Sequence, residues 1–227
     1  ENQHKKVAHN LAVREARGQV MLGLDSDDRC VPHALERLWW HWNNIPETER
    51  VHFSAVTVLC QDENGEIVGD PFPGEKWFDS NSTEITYKHR ARGEKWGFRR
   101  GGVLRRFPFL TDVKCYVPES YVWVQIDRLF KTRYVNEPLR IYYRDTADSQ
   151  ITGMIRDPRP GANGAVVGTA PELSACARYF FSNPRGVGKL AANFVRLLLH
   201  STFTLGEKVR FAWTDQSWPA RFLIVLT

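Results

Sequence analysis

The chain has 227 residues, of which 42% are hydrophobic, 25% charged and 12% aromatic. The length is sufficient for one full domain with an appendage, and the composition is ordinary for a folded protein. The net charge is +5, yet residues 1–150 are balanced, with 22 basic and 22 acidic residues, so the whole positive excess lies in residues 151–227.

Helices and strands are predicted to alternate along the first 145 residues. Apolar residues at helical spacing predict a helix over 4–17, and a strand follows over 19–24. The next predicted elements are a helix from Pro32 to about residue 44, a strand over 51–60, a tight turn at Asn64-Gly65, a loop over 70–82, an extended segment over 96–106, a helix over 119–131 and a strand over 133–144. The alternation predicts an α/β fold with a mostly parallel sheet.

The remainder of the chain has a different character. Residues 157–171 have the composition of a linker, and helices are predicted over 172–182 and 187–203. We therefore expect a domain over 1–150, a linker over 151–171 and a basic helical extension over 172–227. The extension is compatible with an anionic membrane surface, and a helical pair that packs on the domain is the alternative.

The cysteines and the chain ends suggest a location and a fragment. Four cysteines without CxxC or zinc-ligand spacing fit buried thiols in a reducing compartment, which predicts a cytoplasmic protein, with the basic extension at the inner face of a membrane. No run of 18 apolar residues is present, so no span is predicted in the sequence. Because the chain starts at Glu1 and ends within the apolar run RFLIVLT, we expect it to be a fragment.

Three carboxylates follow directly on the apolar strand at 19–24. Asp25, Asp27 and Asp28 repel one another unless a positive charge lies among them. Asp25-Ser26-Asp27 can hold Mg²⁺ or Mn²⁺, which in turn bind diphosphate oxygens. The alternative is a turn in which Asp28 caps the helix at 32–44. A calcium loop is disfavoured because Cys30 occupies the position that requires glycine.

Two stretches resemble the family 2 glycosyltransferases. The first is KKVAHNLAVREARGQVMLGLDSDD at 5–28, in which six residues match the family pattern of Asn, Ala and Gly followed by Asp-x-Asp-Asp: Asn10, Ala16, Gly18, Asp25, Asp27 and Asp28. The second is PFLTDVKCYVPESYVWVQIDRLFKTRYVNEPLRIYYRD at 108–145, which looks like the second half of the family domain. The resemblance covers roughly residues 3–150.

The resemblance implies a GT-A fold and an inverting transfer of a sugar from a nucleotide diphosphate, most often a UDP-sugar, to a hydroxyl of a glycan or lipid-linked acceptor. It implies Mg²⁺ or Mn²⁺ held by Asp27 and Asp25, with Asp25 also near the nucleotide ribose. Lys5 and Asn10 would lie near the nucleotide, and Arg144 would border the diphosphate, although a solvated strand-end arginine is an equal alternative.

For the general base the resemblance implies Glu119, at the start of a helix. The family has a Glu-Asp pair there and this chain has Glu119-Ser120, so a charge that complements the helix dipole is the alternative. Trp96 and Arg99 are the predicted acceptor contacts, because aromatic rings stack on sugars and arginines neutralise phosphates. Nucleic acid is not predicted as a partner, since residues 1–150 carry no net positive charge.

Two rival functions stay open. One is a phosphohydrolase with Asp25 as nucleophile, against which Arg29 stands where such enzymes usually have Thr or Val. The other is a non-catalytic relative that lost transfer through the change at Ser120. Family members also begin with a strand, a helix and an acidic strand around the nucleotide base that this chain does not contain, so we expect the fragment alone to be inactive.

Overall fold

The structure is a computed structural model that describes residues 4–111, 115, 117–143 and 161–227, with the backbone alone at residues 4 and 5. It divides into two compact units. The first, here the sheet unit, comprises residues 11–107 and 126–145, and the second, the helical unit, comprises residues 1–10, 108–125 and 146–227. The helical unit thus includes segments from the predicted first domain.

The sheet unit is built on a six-stranded sheet of order β1-β5-β3-β6-β2, with β4 also paired to β6. The strands are β1 (Val20–Leu22), β2 (Arg29–Cys30), β3 (Phe53–Gln61), β4 (Trp77–Ser80), β5 (Lys95–Arg100) and β6 (Lys131–Ile141). The predicted α/β class is confirmed, but the prediction of a mostly parallel sheet is wrong. Among the described residues β3 and β6 form the parallel pair, and the other four pairings are antiparallel.

The helices are α1 (His4–Glu15), α2 (Ala34–Asn43), α3 (Ser82–Tyr87), α4 (Gly101–Arg106) and α5 (Ser120–Asp127) in the first part of the chain. Helix α2 buries Leu38 and Trp42 against one face of the sheet, and Ile85 of α3 packs in a second cluster with Tyr134 of β6. The predicted extended segment 96–106 is therefore correct only as far as Arg100, and β4 and α3 were not predicted.

Strand β6 contains a bulge that changes the direction of the side chains in the second half of the strand. Val135 lies opposite Val58 on β3, but the next residue of β3, Leu59, lies opposite Pro138. Bulges change which way the following side chains are directed. After the bulge, Arg140 lies opposite Cys60 of β3 on one side and Cys30 of β2 on the other.

The helical unit contains α6 (Ala162–Cys176), α7 (Pro184–His200), α8 (Leu205–Val209), which continues as a π-helical turn over Arg210–Thr214, and α9 (Trp218–Leu226). Of the predicted linker, the structure describes residues 161–171. All of these except Gly161 belong to α6 and form its first part. A Cβ at Gly168 would lie 2.4 Å from Pro118 Cδ, so the glycine allows close packing rather than flexibility. None of the helices in the described ranges combines the length and apolarity needed to cross a membrane.

All four cysteines are free. Burial raises the pKa of the Cys60 thiol to about 12 and also raises the pKa of Cys176. Both thiols are therefore protonated near neutral pH and are unsuited to nucleophilic chemistry.

Candidate functional site

The acidic turn is a β-turn that follows edge strand β1 in the sheet unit. The Asp28 N–H donates to the Asp25 carbonyl oxygen at 3.1 Å. Just before the turn, the Gly23 carbonyl oxygen accepts a hydrogen bond from the Trp96 indole N–H at 2.6 Å. Strand β5, which carries Trp96, therefore fixes the backbone from which the turn projects.

Arg140 relieves the repulsion among the carboxylates. Its guanidinium donates to Asp28 Oδ2, and to Asp25 Oδ2 at 3.3 Å. The Asp28 carboxylate also accepts from the Tyr143 N–H at 3.3 Å. The side chains of Arg140 and Asp28 are 8% and 2% exposed, so this is a buried ion pair. Both Asp28 oxygens accept hydrogen bonds, whereas the Arg140 Nε is buried without a partner among the described residues.

The alternative that Asp28 caps the helix beginning near residue 32 is wrong. Helix α2 begins after His33, and no side chain caps it. The oxygens of Asp28 instead bond to the Arg140 guanidinium and the Tyr143 backbone. Asp28 is therefore a structural carboxylate that joins the turn to β6 and the residues after it.

The other two carboxylates face water. The Asp25 side chain is 55% exposed and shares Arg140 with Asp28. Asp27 is exposed and makes no hydrogen bond or ion pair within the part of the chain that the structure describes. Asp27 can therefore take a cation without giving up an internal contact.

A divalent cation fits this arrangement only together with a second source of oxygen ligands. The described ranges contain no cluster of three or more His, Cys, Asp or Glu side chains that could hold a metal ion. Mg²⁺ commonly uses one or two carboxylates and completes its shell with water and substrate phosphates. The exposed oxygens of Asp27 and Asp25 match that ligand type, so the residues fit a cation bound with a diphosphate.

The two predicted acceptor residues lie on opposite faces of β5, because side chains alternate along a strand. Trp96 is 5% exposed and belongs to the core that α2 covers. Arg99 is half-buried, and its positive charge acts on the carboxylate of Asp127. The structure thus gives Trp96 a role in holding Gly23, and the acceptor contacts stay predictions.

Asp127 is a partly buried carboxylate that no sequence motif indicated. It ends α5 and accepts from the Ser82 hydroxyl and from the Thr83 N–H, the latter at 3.2 Å. Its second oxygen, Oδ1, is buried without a hydrogen bond. Burial raises the pKa of Asp127, and the Ser82 hydrogen bond and the charge of Arg99 only partly oppose this effect. A carboxyl group in such surroundings exchanges a proton nearer neutral pH than an exposed one.

The remaining predicted site residues belong to the helical unit or lie outside the described residues. Glu119 precedes α5, and its carbonyl oxygen accepts from the Val122 N–H at 3.0 Å. The Asn10 side chain donates to the Phe109 carbonyl oxygen at 2.8 Å and accepts from the Phe109 N–H at 2.9 Å. It therefore has a structural role, and its predicted nucleotide contact stays a prediction.

Two predicted residues have no described side chain. The backbone of Lys5 lies in α1, and Arg144 lies outside the described residues. The arginine that contacts the acidic turn is Arg140, four residues earlier. Its signal in the sequence was weak, since the strand prediction over 133–144 did not show that a bulge would direct this arginine to the turn.

Comparisons with known proteins give no assignment. No protein-family model matches the chain, and no curated protein matches it. The resemblance to family 2 glycosyltransferases therefore rests on the residues at 5–28 and 108–145 and stays a prediction.

Proposed function

We propose that the protein is a metal-dependent, inverting glycosyltransferase with a GT-A-like fold. It transfers a sugar from a nucleotide diphosphate, with UDP as the first candidate, to a hydroxyl of a glycan or lipid-linked acceptor on the cytoplasmic side of a membrane. The observation that carries the proposal is that the carboxylates of the acidic turn differ in their contacts. Asp28 is bonded to Arg140, whereas Asp27 is exposed and makes no hydrogen bond or ion pair within the described ranges.

The charges at the turn suit a bound cation. Asp25, Asp27 and Asp28 carry three negative charges, and Arg140 supplies one positive charge in direct contact with two of them. The excess negative charge lies on the exposed side chains, where it can meet a divalent ion. When bound there with the donor, Mg²⁺ or Mn²⁺ would offset the charge that develops on the leaving diphosphate.

Within this proposal Glu119 is the base that takes the proton of the acceptor hydroxyl. It is the carboxylate at the start of α5, where the family resemblance places the base. Glu119→Gln should abolish transfer and leave nucleotide binding unchanged, as measured by sugar transfer and by calorimetry. Unchanged transfer in this variant would exclude Glu119 as the base.

The test of the acidic turn is calorimetry of UDP binding to the full-length protein with and without Mn²⁺. Binding should require Mn²⁺, and Asp27→Asn should weaken it by about tenfold or more because a metal ligand is lost. The matched control is Glu63→Gln, which removes an exposed carboxylate in the turn after β3 and should leave binding unchanged. If neither UDP nor GDP binds with metal present, the glycosyltransferase proposal is overturned.

The rival phosphohydrolase makes a different prediction. It requires an acid-labile phosphate on Asp25 after incubation with a phosphate ester and no affinity for UDP. That pair of results would replace the proposed function, whereas metal-dependent UDP binding without a phosphorylated Asp25 supports it.

A further inference from the structure

Helix α9 exposes large apolar side chains along one side. Four of them lie at positions i, i+4, i+7 and i+8, which a helix places on the same side: Trp218 (76% exposed), Phe222 (55%), Val225 (72%) and Leu226 (63%). The opposite side of the helix buries Ala220 and Leu223. The rings of Trp218 and Phe222 stack with their centroids 6.3 Å apart. The helix is therefore apolar on both its buried and its exposed sides.

The preceding helical segment continues this exposed apolar region. Leu205, Val209 and Trp213 lie four residues apart and are 80%, 56% and 51% exposed. The Arg221 guanidinium of α9 lies 5.4 Å from the centroid of the Trp213 ring, so the segment and α9 are in contact. The seven exposed apolar residues on these two elements, 205, 209, 213, 218, 222, 225 and 226, are here called the apolar surface.

A row of cations lies on α7. With about 100° between successive residues of a helix, Arg185, Lys189 and Arg196 fall on one side, and all three are exposed. This row is here called the basic stripe. Leu199 follows on the same side and is 73% exposed. Its carbonyl oxygen accepts from Lys208 Nζ at 3.4 Å, so the end of α7 just beyond the stripe contacts α8, the helix that carries Leu205 and Val209 of the apolar surface.

The charge balance points to an anionic partner. Residues 161–227 contain seven Lys and Arg against three Asp and Glu. A symmetric pairing of two copies through the apolar surface would bring their positive charges together. An anionic bilayer complements those charges, and tryptophan and other apolar side chains enter its interface while Lys and Arg contact the headgroups.

We propose that the helical unit docks on an anionic membrane surface, with the apolar surface inserted at the interface and the basic stripe on lipid phosphates. In this arrangement the apolar side chains enter the interface while the helix axes stay at the bilayer surface. It does not depend on the transfer reaction proposed above, so its test and the nucleotide-binding test can fail separately.

The experiment is co-sedimentation of the full-length protein with phosphatidylcholine vesicles, with and without phosphatidylglycerol, at low and high salt. We expect strong binding to the anionic vesicles that weakens with salt, because screening removes the attraction. Arg185→Gln, Lys189→Gln and Arg196→Gln together should lower the partition coefficient on the order of a hundredfold, at about fivefold for each charge. Trp218→Ser with Phe222→Ser should also reduce binding, including the part that survives high salt.

The control removes three exposed cations from the sheet unit, through Arg17→Gln, Lys76→Gln and Arg128→Gln. It changes the net charge by the same amount and should leave much more of the vesicle binding intact than the stripe variant does. Equal loss in both triple variants would overturn the proposal, as would binding indifferent to phosphatidylglycerol. The parent protein could instead fail to bind vesicles and sediment as a dimer. If Trp218→Ser with Phe222→Ser then converts that dimer to a monomer in sedimentation velocity, the apolar surface binds a second copy of the chain and the membrane proposal is overturned.

Discussion

Replacing Arg140 by methionine tests the electrostatic design of the acidic turn. The change keeps much of the side-chain volume but leaves the 2% exposed Asp28 carboxylate without its cation. Removing one partner of a buried ion pair costs about 3–5 kcal/mol. Because Asp28 keeps its hydrogen bond from the Tyr143 N–H, we expect the lower end, a loss of about 3 kcal/mol in the free energy of unfolding.

The measurement is urea unfolding of Arg140→Met, Asp28→Asn and the double variant. Asp28→Asn should cost less, about 1–2 kcal/mol, because Arg140 keeps Asp25 as a partner at 3.3 Å. The double variant removes both buried charges, so it should be more stable than Arg140→Met alone. Arg14→Met, in an ion pair whose side chains are 73% and 68% exposed, serves as the control and should stay within about 0.5 kcal/mol of the parent.

Two results would refute this reasoning. The first is a loss for Arg140→Met no larger than that for Arg14→Met. The second is strict additivity in the double variant, which would mean that the carboxylate of Asp28 does not depend on the guanidinium of Arg140.

Three further predictions concern the sheet unit. Burial lowers the pKa of His41, so below about pH 6.5 the unfolded chain takes up a proton there more readily than the folded protein. The free energy of unfolding should therefore fall as the pH drops through this range, and His41→Gln should reduce that dependence in urea unfolding over about pH 5–7. Gly97→Ala would place a Cβ 2.0 Å from a carbonyl oxygen of β3 and should cost several kcal/mol, whereas Gly102→Ala, with open space, should be neutral or stabilising in the same urea assay. Trp96→Phe loses the hydrogen bond to the Gly23 carbonyl oxygen and should cost about 1 kcal/mol in urea unfolding. If Gly97→Ala or Trp96→Phe leaves the urea midpoint unchanged, the close approach or the hydrogen bond that it tests is contradicted.

Hydrophobic periodicity predicted most helices and strands of the first part of the chain but not how the strands are directed. It reports which side chains are buried, and a strand that runs antiparallel to its neighbour has the same alternation as a parallel one. The composition of residues 161–171, the described part of the predicted linker, was misleading for a different reason. Its glycines and proline are typical of a linker, yet Gly168 lies inside α6, where a Cβ would collide with Pro118.

Local sequence also located the acidic turn but not its partners. The run Asp25 to Asp28 can be found from the sequence because like charges follow directly on an apolar strand. Arg140 lies 112 residues from Asp28, and its direction depends on a bulge that no local pattern encodes. Asp127 was missed because its surroundings depend on Ser82, the last residue of a segment predicted to be a loop, and on Thr83 directly after it.

The separation of 112 residues between Asp28 and Arg140 also constrains the order of folding. During synthesis the turn leaves the ribosome long before Arg140 has been added to the chain. The parallel pairing of β3 with β6 also joins residues distant in sequence, such as Phe53 and Lys131. Contacts of such high contact order form slowly, because a long loop must close before they contribute. The acidic turn should therefore become ordered among the last parts of the sheet unit, and nascent chains that end before Arg140 should expose it to hydrogen exchange.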